Sequence, residues 1–269
     1  MHEHSDPGHV EVDGHPELLD HRHPLAMVYG GGGVFGIAYT SGVALGLMDS
    51  GIRVASAPSL GTSAGSWTAS ALALGMRYED FAYTRTPSVP NLRPGVLAAI
   101  ARELFGEATH HLVSVSAVCV STGRRHILDG GEYPLADLVA ASSAVPGLLA
   151  PHRVAGRLYV DGGMWSATSV DASSVADRVI VVAPLAGPVM GPMGRTAGFM
   201  LERELNRCRR RHPGCEVHLI RPDREMAHLA GRNPLSLFDP HRAREVYPLA
   251  YEQGLEWGAR LGTDTRPAA

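Results

Sequence analysis

The pentapeptide Gly61-Thr62-Ser63-Ala64-Gly65 carries a serine with one glycine two residues before it and another two residues after it. A serine at a sharp strand-to-helix turn is forced into a strained backbone conformation, and the positions two away on either side then have no room for side chains. Gly61 and Gly65 meet that demand. Such a turn lifts the hydroxyl clear of a sheet and sets it at a helix N-terminus, where free N–H groups favour negative charge. Ala64 supplies one of those N–H groups beside the reacting carbon. The chemistry available to this pattern is nucleophilic attack by Ser63. The competing reading is an ordinary βα turn. The apolar run before the pentapeptide and the helical pattern after it favour the nucleophile.

A serine nucleophile needs a proton acceptor. Two Asp-Gly-Gly sequences offer one, Asp129-Gly130-Gly131 and Asp161-Gly162-Gly163. Asp-Gly is also a common turn pair. Asp161 follows the short apolar run Leu158-Tyr159-Val160 and precedes Met164-Trp165, surroundings that draw a carboxylate into a partly dry site. Gly162 and Gly163 allow close backbone approach. Asp129 precedes Glu132 and Pro134 and reads as a loop or helix-start residue. A triad with His218 or His228 is the alternative, and the chain order Ser63, Asp161, His permits it.

A second glycine cluster, Gly30 to Gly33 with Gly36, closes the apolar run Leu25-Ala26-Met27-Val28-Tyr29. Bare backbone there lets N–H groups converge on an oxyanion. In a parallel sheet this loop and Ser63 share one edge. The stretch Gly31-Gly32-Gly33-Val34-Phe35-Gly36 also satisfies the dinucleotide fingerprint. That fingerprint wants an acidic residue at the end of the following strand. The stretch Ile52 to Leu60 has none and runs into the serine turn instead.

These groups must be positioned by regular elements. Strands are predicted at 25–29, 52–60, 113–120, 126–128, 158–160, 179–183 and 217–220. Helices are predicted at 37–47, 67–74, 136–144, 195–211 and 243–261. Leu97, Ile100, Ala101 and Leu104 share one face of a further helix, read as packed on the core rather than as a lid. Two strand–turn–helix units in succession imply an α/β fold, a single domain with a mostly parallel central sheet flanked by helices. Its boundaries are expected at 25–262. Residues 1–24 are a polar, His-rich mobile tail, with metal binding the less favoured reading. Residues 263–269 form a short C-terminal tail.

The chain has 269 residues, 45% hydrophobic, with a formal net charge of −3. That balance excludes the basic character expected of a nucleic-acid binder. Three cysteines without a CxxC pair predict neither a disulfide framework nor a zinc site. The N-terminal stretch lacks the apolar core of a signal peptide, and no apolar run is long enough to span a membrane, so a cytoplasmic location is expected. No cofactor and no metal are expected. The run Arg203, Arg207, Arg209, Arg210, Arg211 reads as a solvated helix end, with transient contact to a membrane surface as the alternative.

Three blocks in order, Gly31-Gly32-Gly33-Val34-Phe35-Gly36, Gly61-Thr62-Ser63-Ala64-Gly65 and Asp161-Gly162-Gly163, together resemble the patatin-like phospholipases. The run Ala141-Ser142-Ser143-Ala144-Val145-Pro146 is similar to that family's pattern as well. The resemblance implies a Ser63–Asp161 dyad without histidine, an oxyanion hole from Gly31, Gly32 and Gly33, and hydrolysis of lipid acyl esters. The sequence differs from the family at Phe35, where Arg or Lys is usual, and at Ala167 and Ser169, where Asn and Pro are common. A non-catalytic lipid-binding relative is the third reading, and the strained serine turn speaks against it.

Overall fold

The computed structural model describes residues 11–13, 23–82, 87–186, 191–231 and 233–263. Most of the stretch read as an N-terminal tail, and residues 264–269 of the C-terminal one, lie outside the described residues. Glu11–Asp13 forms a strand, β1, and His23 opens the next.

The central strands are continuous apolar runs because helices cover both faces of the sheet. Strand β2, His23–Tyr29, is buried throughout Ala26–Tyr29. Met27 and Tyr29 face one apolar cluster, and Ala26 and Val28 face another. The first cluster is completed by helices α1 (Gly33–Asp49), α2 (Ala64–Ala73), α5 (Leu135–Ser142) and α8 (Pro240–Thr263). The second receives Leu201 and Leu205 of α6 (Gly191–Arg211). The architecture is therefore three layers, helices over a mostly parallel sheet over a helix, as the strand–turn–helix pattern predicted.

The remaining strands are β3 (Ser59–Thr62), β4 (Val113–Cys119), β5 (Arg125–Asp129), β6 (His152–Val154), β7 (Arg157–Asp161), β8 (Ala176–Val182) and β9 (Glu216–Ile220). The sheet order is β1-β5-β4-β3-β2-β8-β9, with β7 joined to β4 and β6. Strand β4 pairs in parallel with β3 and antiparallel with both β5 and β7. A strand has two edges. Strand β5 occupies one edge over Ser114–Val118, so β3 and β7 share the other. Thr62 lies opposite Ser116, and Asp161 lies opposite the next residue, Ala117. Strands β3 and β7 thus meet end to end along β4.

One expectation is corrected. The stretch 52–60 is not one strand: Val54–Ser56 is a 3-10 turn, and pairing starts at Ser59. Pro58 has no N–H for a ladder, so regular pairing begins after it. Helix α4, Val96–Phe105, turns Ala98, Ala101 and Phe105 to the core. Leu97, Ile100 and Leu104 form the adjacent stripe, which packs against the same core as expected and also lines a pocket. Helices α3 (Tyr78–Phe81) and α7 (Arg224–Ala230) are short and had no clear periodic signal.

Candidate active site

Ser63 sits between the last residue of β3 and the first of α2, with φ 51° and ψ −119°. A side-chain-bearing residue adopts that conformation only where its surroundings enforce it. The enforcing contacts are close packing at the flanking glycines. A Cβ on Gly61 would lie 2.5 Å from the Ser66 Cα, and one on Gly65 would lie 2.0 Å from the Tyr29 carbonyl oxygen.

The Ser63 hydroxyl donates to Asp161 Oδ2 at 2.6 Å. The other carboxylate oxygen, Oδ1, accepts the Gly163 N–H at 2.6 Å. The end-to-end meeting of β3 and β7 brings the pair together. Asp161 is buried, and burial pushes its carboxyl up to about 6, while the bonds from Ser63 and Gly163 pull it back. A carboxylate so placed remains ionised at neutral pH and is a stronger base than one in water. Gly162 has no room for a side chain, since its Cβ would lie 2.2 Å from the Ser116 carbonyl oxygen. Asp129 is elsewhere. It pairs with Ser114 on the opposite edge of β4 and caps its own turn by accepting the Gly131 N–H.

The run 141–146 ties nucleophile to carboxylate. The Ser142 hydroxyl accepts the Ser63 N–H at 2.9 Å and donates to the Ser116 carbonyl at 2.7 Å. The Asp161 N–H donates to the Ala144 carbonyl at 3.0 Å. Trp67 Nε1 donates to Ser143 Oγ at 3.0 Å. The sequence marked this run as a pattern without assigning these roles, because a serine before a helix end has many uses.

The glycine loop lies against the serine. A Cβ on Gly31 would lie 3.3 Å from Ser63 Cβ, and one on Gly36 would lie 3.1 Å from Ala64 Cβ. Helix α1 begins at Gly33 after Gly32, and α2 begins at Ala64. First-turn N–H groups have no acceptor within their own helix. The starts of α1 and α2 thus lie beside each other at Ser63, with Gly32, Gly33 and Ala64 at their first positions. Gly31 departs from the expected role. Its N–H is taken by the Ala167 carbonyl at 2.8 Å, which makes it the anchor of the loop rather than a donor. Phe35 is fully buried, so its side chain adds nothing to the site surface.

An apolar pocket of about 120 Å³ opens beside Ser63. Gly33, Ala64 and Ser143 line it near the hydroxyl, and Trp67, Ile100 and Leu104 are among its apolar walls.

The histidines of the triad alternative lie apart. His218 is on β9, 3.6 Å from Glu216 and edge-on to Trp257, and His228 is in α7. Among the described residues, Ser63 and Gly163 are the hydrogen-bond partners of the Asp161 carboxylate. The basic run is in part engaged: Arg207 lies 3.6 Å from Asp171, and Arg211 donates to the Asp171 carbonyl. Asp171 itself forms a buried two-point pair with Arg125, at 2.7 and 3.3 Å. No helix among the described residues is long and apolar enough to cross a membrane.

No curated protein matches this chain. Among solved structures, the chain is similar to VipD from Legionella pneumophila, at 14% identity over 89% of this chain and 67% of that one, with a TM-score of 0.46. Residues 84–172, the stretch that holds α4, β4, α5 and Asp161, match the family model of the Patatin-like phospholipases.

Proposed function

We propose that this protein is a serine acyl hydrolase acting on lipid acyl esters, with Ser63 as nucleophile and Asp161 as its base. The observation that carries the reading is the 2.6 Å bond from Ser63 Oγ to a buried carboxylate. The family match of residues 84–172 supports lipid acyl hydrolysis at the level of the family. The apolar pocket suits an acyl chain.

In this mechanism Ser63 Oγ attacks the acyl carbonyl carbon while Asp161 Oδ2 takes the hydroxyl proton. The carbonyl oxygen becomes an oxyanion and is held by the N–H groups of Gly32, Gly33 and Ala64, already oriented before the charge appears. The ester C–O bond breaks, and Asp161 returns the proton to the leaving alcohol. Water then attacks the acyl-Ser63 ester with Asp161 again as base, releasing the fatty acid and restoring the hydroxyl.

A fluorophosphonate probe tests the reading, with a panel of lipid and p-nitrophenyl esters. The wild-type protein should be labelled and should hydrolyse esters, and Ser63→Ala should do neither. An unlabelled wild type without esterase activity would favour the lipid-binding alternative.

A further inference from the structure

Glu204 is a buried carboxylate on α6, a helix of the layer opposite the pocket, and the reaction outlined above makes no use of it. It accepts from the Thr168 hydroxyl at 3.0 Å, and the Ser166 hydroxyl beside it pulls its carboxyl down. Ser166 Oγ in turn accepts the N–H groups of Thr168 and Ser169, at 3.2 and 2.9 Å. Its two acceptor sites are thus filled, which leaves its single proton for the carboxylate beside it. Between these two hydroxyl residues lies Ala167, whose carbonyl takes the Gly31 N–H. The same loop reaches the serine side through Ser169 Oγ, 2.9 Å from Ser116 Oγ. Ser116 is the residue whose carbonyl holds Ser142, and Ser142 holds the Ser63 N–H.

We propose that Glu204 is a positioning residue for the glycine loop, acting through Ser166 and Thr168 to fix the Ala167 carbonyl that anchors Gly31. The proposal rests on the dyad reading of Ser63 and Asp161. Oxyanion donors must be in place before charge develops, and a displacement of a few tenths of an ångström weakens them. Gly32 and Gly33 have no side chains to hold them, so their aim depends on backbone bonds, and the Gly31 N–H to Ala167 is one of these beside Gly30 N–H to Val182 and Gly36 N–H to Gly32. A carboxylate is the fitting anchor, since a charged acceptor binds hydroxyl donors more strongly than a neutral one. Burying it carries a desolvation cost that a purely apolar filler would avoid.

The groups around Glu204 make its role readable against pH. Burial pushes its carboxyl up, and Asp171 from the turn at 170–172 adds to the rise. The hydroxyls of Ser166 and Thr168 and the Arg125 guanidinium from β5 pull it down. Arg207 of α6 stands against Asp171 in turn. Once protonated, Glu204 carries its own donor and loses the charge that strengthens its bonds from the hydroxyls.

The test uses the full chain, Glu204→Gln and Thr168→Val, with the active serine counted by fluorophosphonate titration. Thr168→Val keeps the shape of its residue and guards against a Glu204 variant that does not fold. Both variants should lose about ten- to a hundredfold in kcat per titrated serine, less than the 10²–10³ of a lost donor, with KM little changed. The acid limb of kcat against pH should differ between the wild type and Glu204→Gln, which has no second carboxyl to protonate. Glu202→Gln, an exposed change on the same helix, should match the wild type. A kcat within about threefold of wild type in Thr168→Val or in folded Glu204→Gln overturns the proposal, being too small for a displaced donor. So does an unchanged acid limb. Ser63→Ala, run alongside, separates the two readings: if it is inactive while the Glu204 and Thr168 variants are normal, only the positioning role falls. If Ser63→Ala hydrolyses esters, the dyad and the positioning role fall together.

Discussion

Gly65 packs against Tyr29 so closely that a Cβ on the glycine would lie 2.0 Å from the tyrosine carbonyl oxygen. Neither partner can yield, because the carbonyl ends the buried stretch of a central strand and Gly65 lies in the first turn of α2. Gly65→Ala should therefore cost more than an ordinary overpacked core change, about 3 kcal/mol or above. Urea unfolding and soluble yield measure this. A stable, fully active Gly65→Ala protein would show that the turn is looser than its contacts imply.

Removal of either member of the dyad should stop the chemistry and leave the fold. Ser63→Ala and Asp161→Asn should each reduce ester hydrolysis by at least about 10²–10⁴-fold, the usual cost of losing a nucleophile or its base. Circular dichroism should be unchanged. Asp129→Asn should retain activity, since Asp129 faces the other edge of β4. His218→Ala should stay within about tenfold of wild type, because general-base loss costs more than that. Activity in Asp161→Asn together with a dead His218→Ala would reverse the assignment in favour of the triad.

The pH dependence of Asp161 has two opposite signs. As a base it must be ionised, so kcat/KM should rise with pH through about 6 and level off above it. As a buried group its folded value lies above the ordinary 3.8, so the folded chain binds more protons between these values. The stabilisation it gives is complete below 3.8 and is lost as pH rises through about 6. The lost increment is on the order of 3 kcal/mol. Asp161→Asn should thus raise Tm at pH 8 and change it little at pH 4. An equal shift at both would mean that the carboxyl is not held neutral by burial.

The glycine loop tests transition-state binding. Gly32→Ala would press its Cβ against the Gly36 backbone at 3.0 Å and Pro184 at 3.1 Å, displacing the loop. The expected loss is about 10²–10³-fold in kcat with KM changed far less, since the oxyanion exists only in the transition state. Titration calorimetry with NAD(P)H on the same variant checks the dinucleotide alternative. Tight nucleotide binding abolished by Gly32→Ala, with hydrolysis untouched, would replace the oxyanion role.

The Arg125–Asp171 pair should behave as a buried ion pair. Arg125→Met leaves the Asp171 carboxylate in the interior without its two-point partner. The expected loss is about 3–5 kcal/mol of unfolding free energy, and adding Asp171→Leu should restore most of it. Urea denaturation of the three proteins forms the cycle. A single-variant loss below about 1 kcal/mol would mean that Arg207 takes over the carboxylate.

Much of the site was legible in the sequence because its constraints are local. Two glycines spaced about a serine report a strained turn, and a glycine run after an apolar strand reports a helix start with bare N–H groups. The periodic runs gave the sheet and the long helices for the same reason, since burial repeats along the chain. Apolar neighbours favoured Asp161 over Asp129, but the contact with Ser63 was not local. Both open an Asp-Gly-Gly turn, and only the pairing of β7 with the end of β4 beyond β3 puts Asp161 at the Ser63 hydroxyl. The loss of Gly31 as a donor was likewise invisible, because its partner carbonyl lies at Ala167. Glu204 lies inside the helix expected at 195–211 and had no role assigned to it. Its place beneath Ser166 and Thr168 follows from the packing of α6 on the sheet, a contact between residues far apart in the chain that no periodicity encodes.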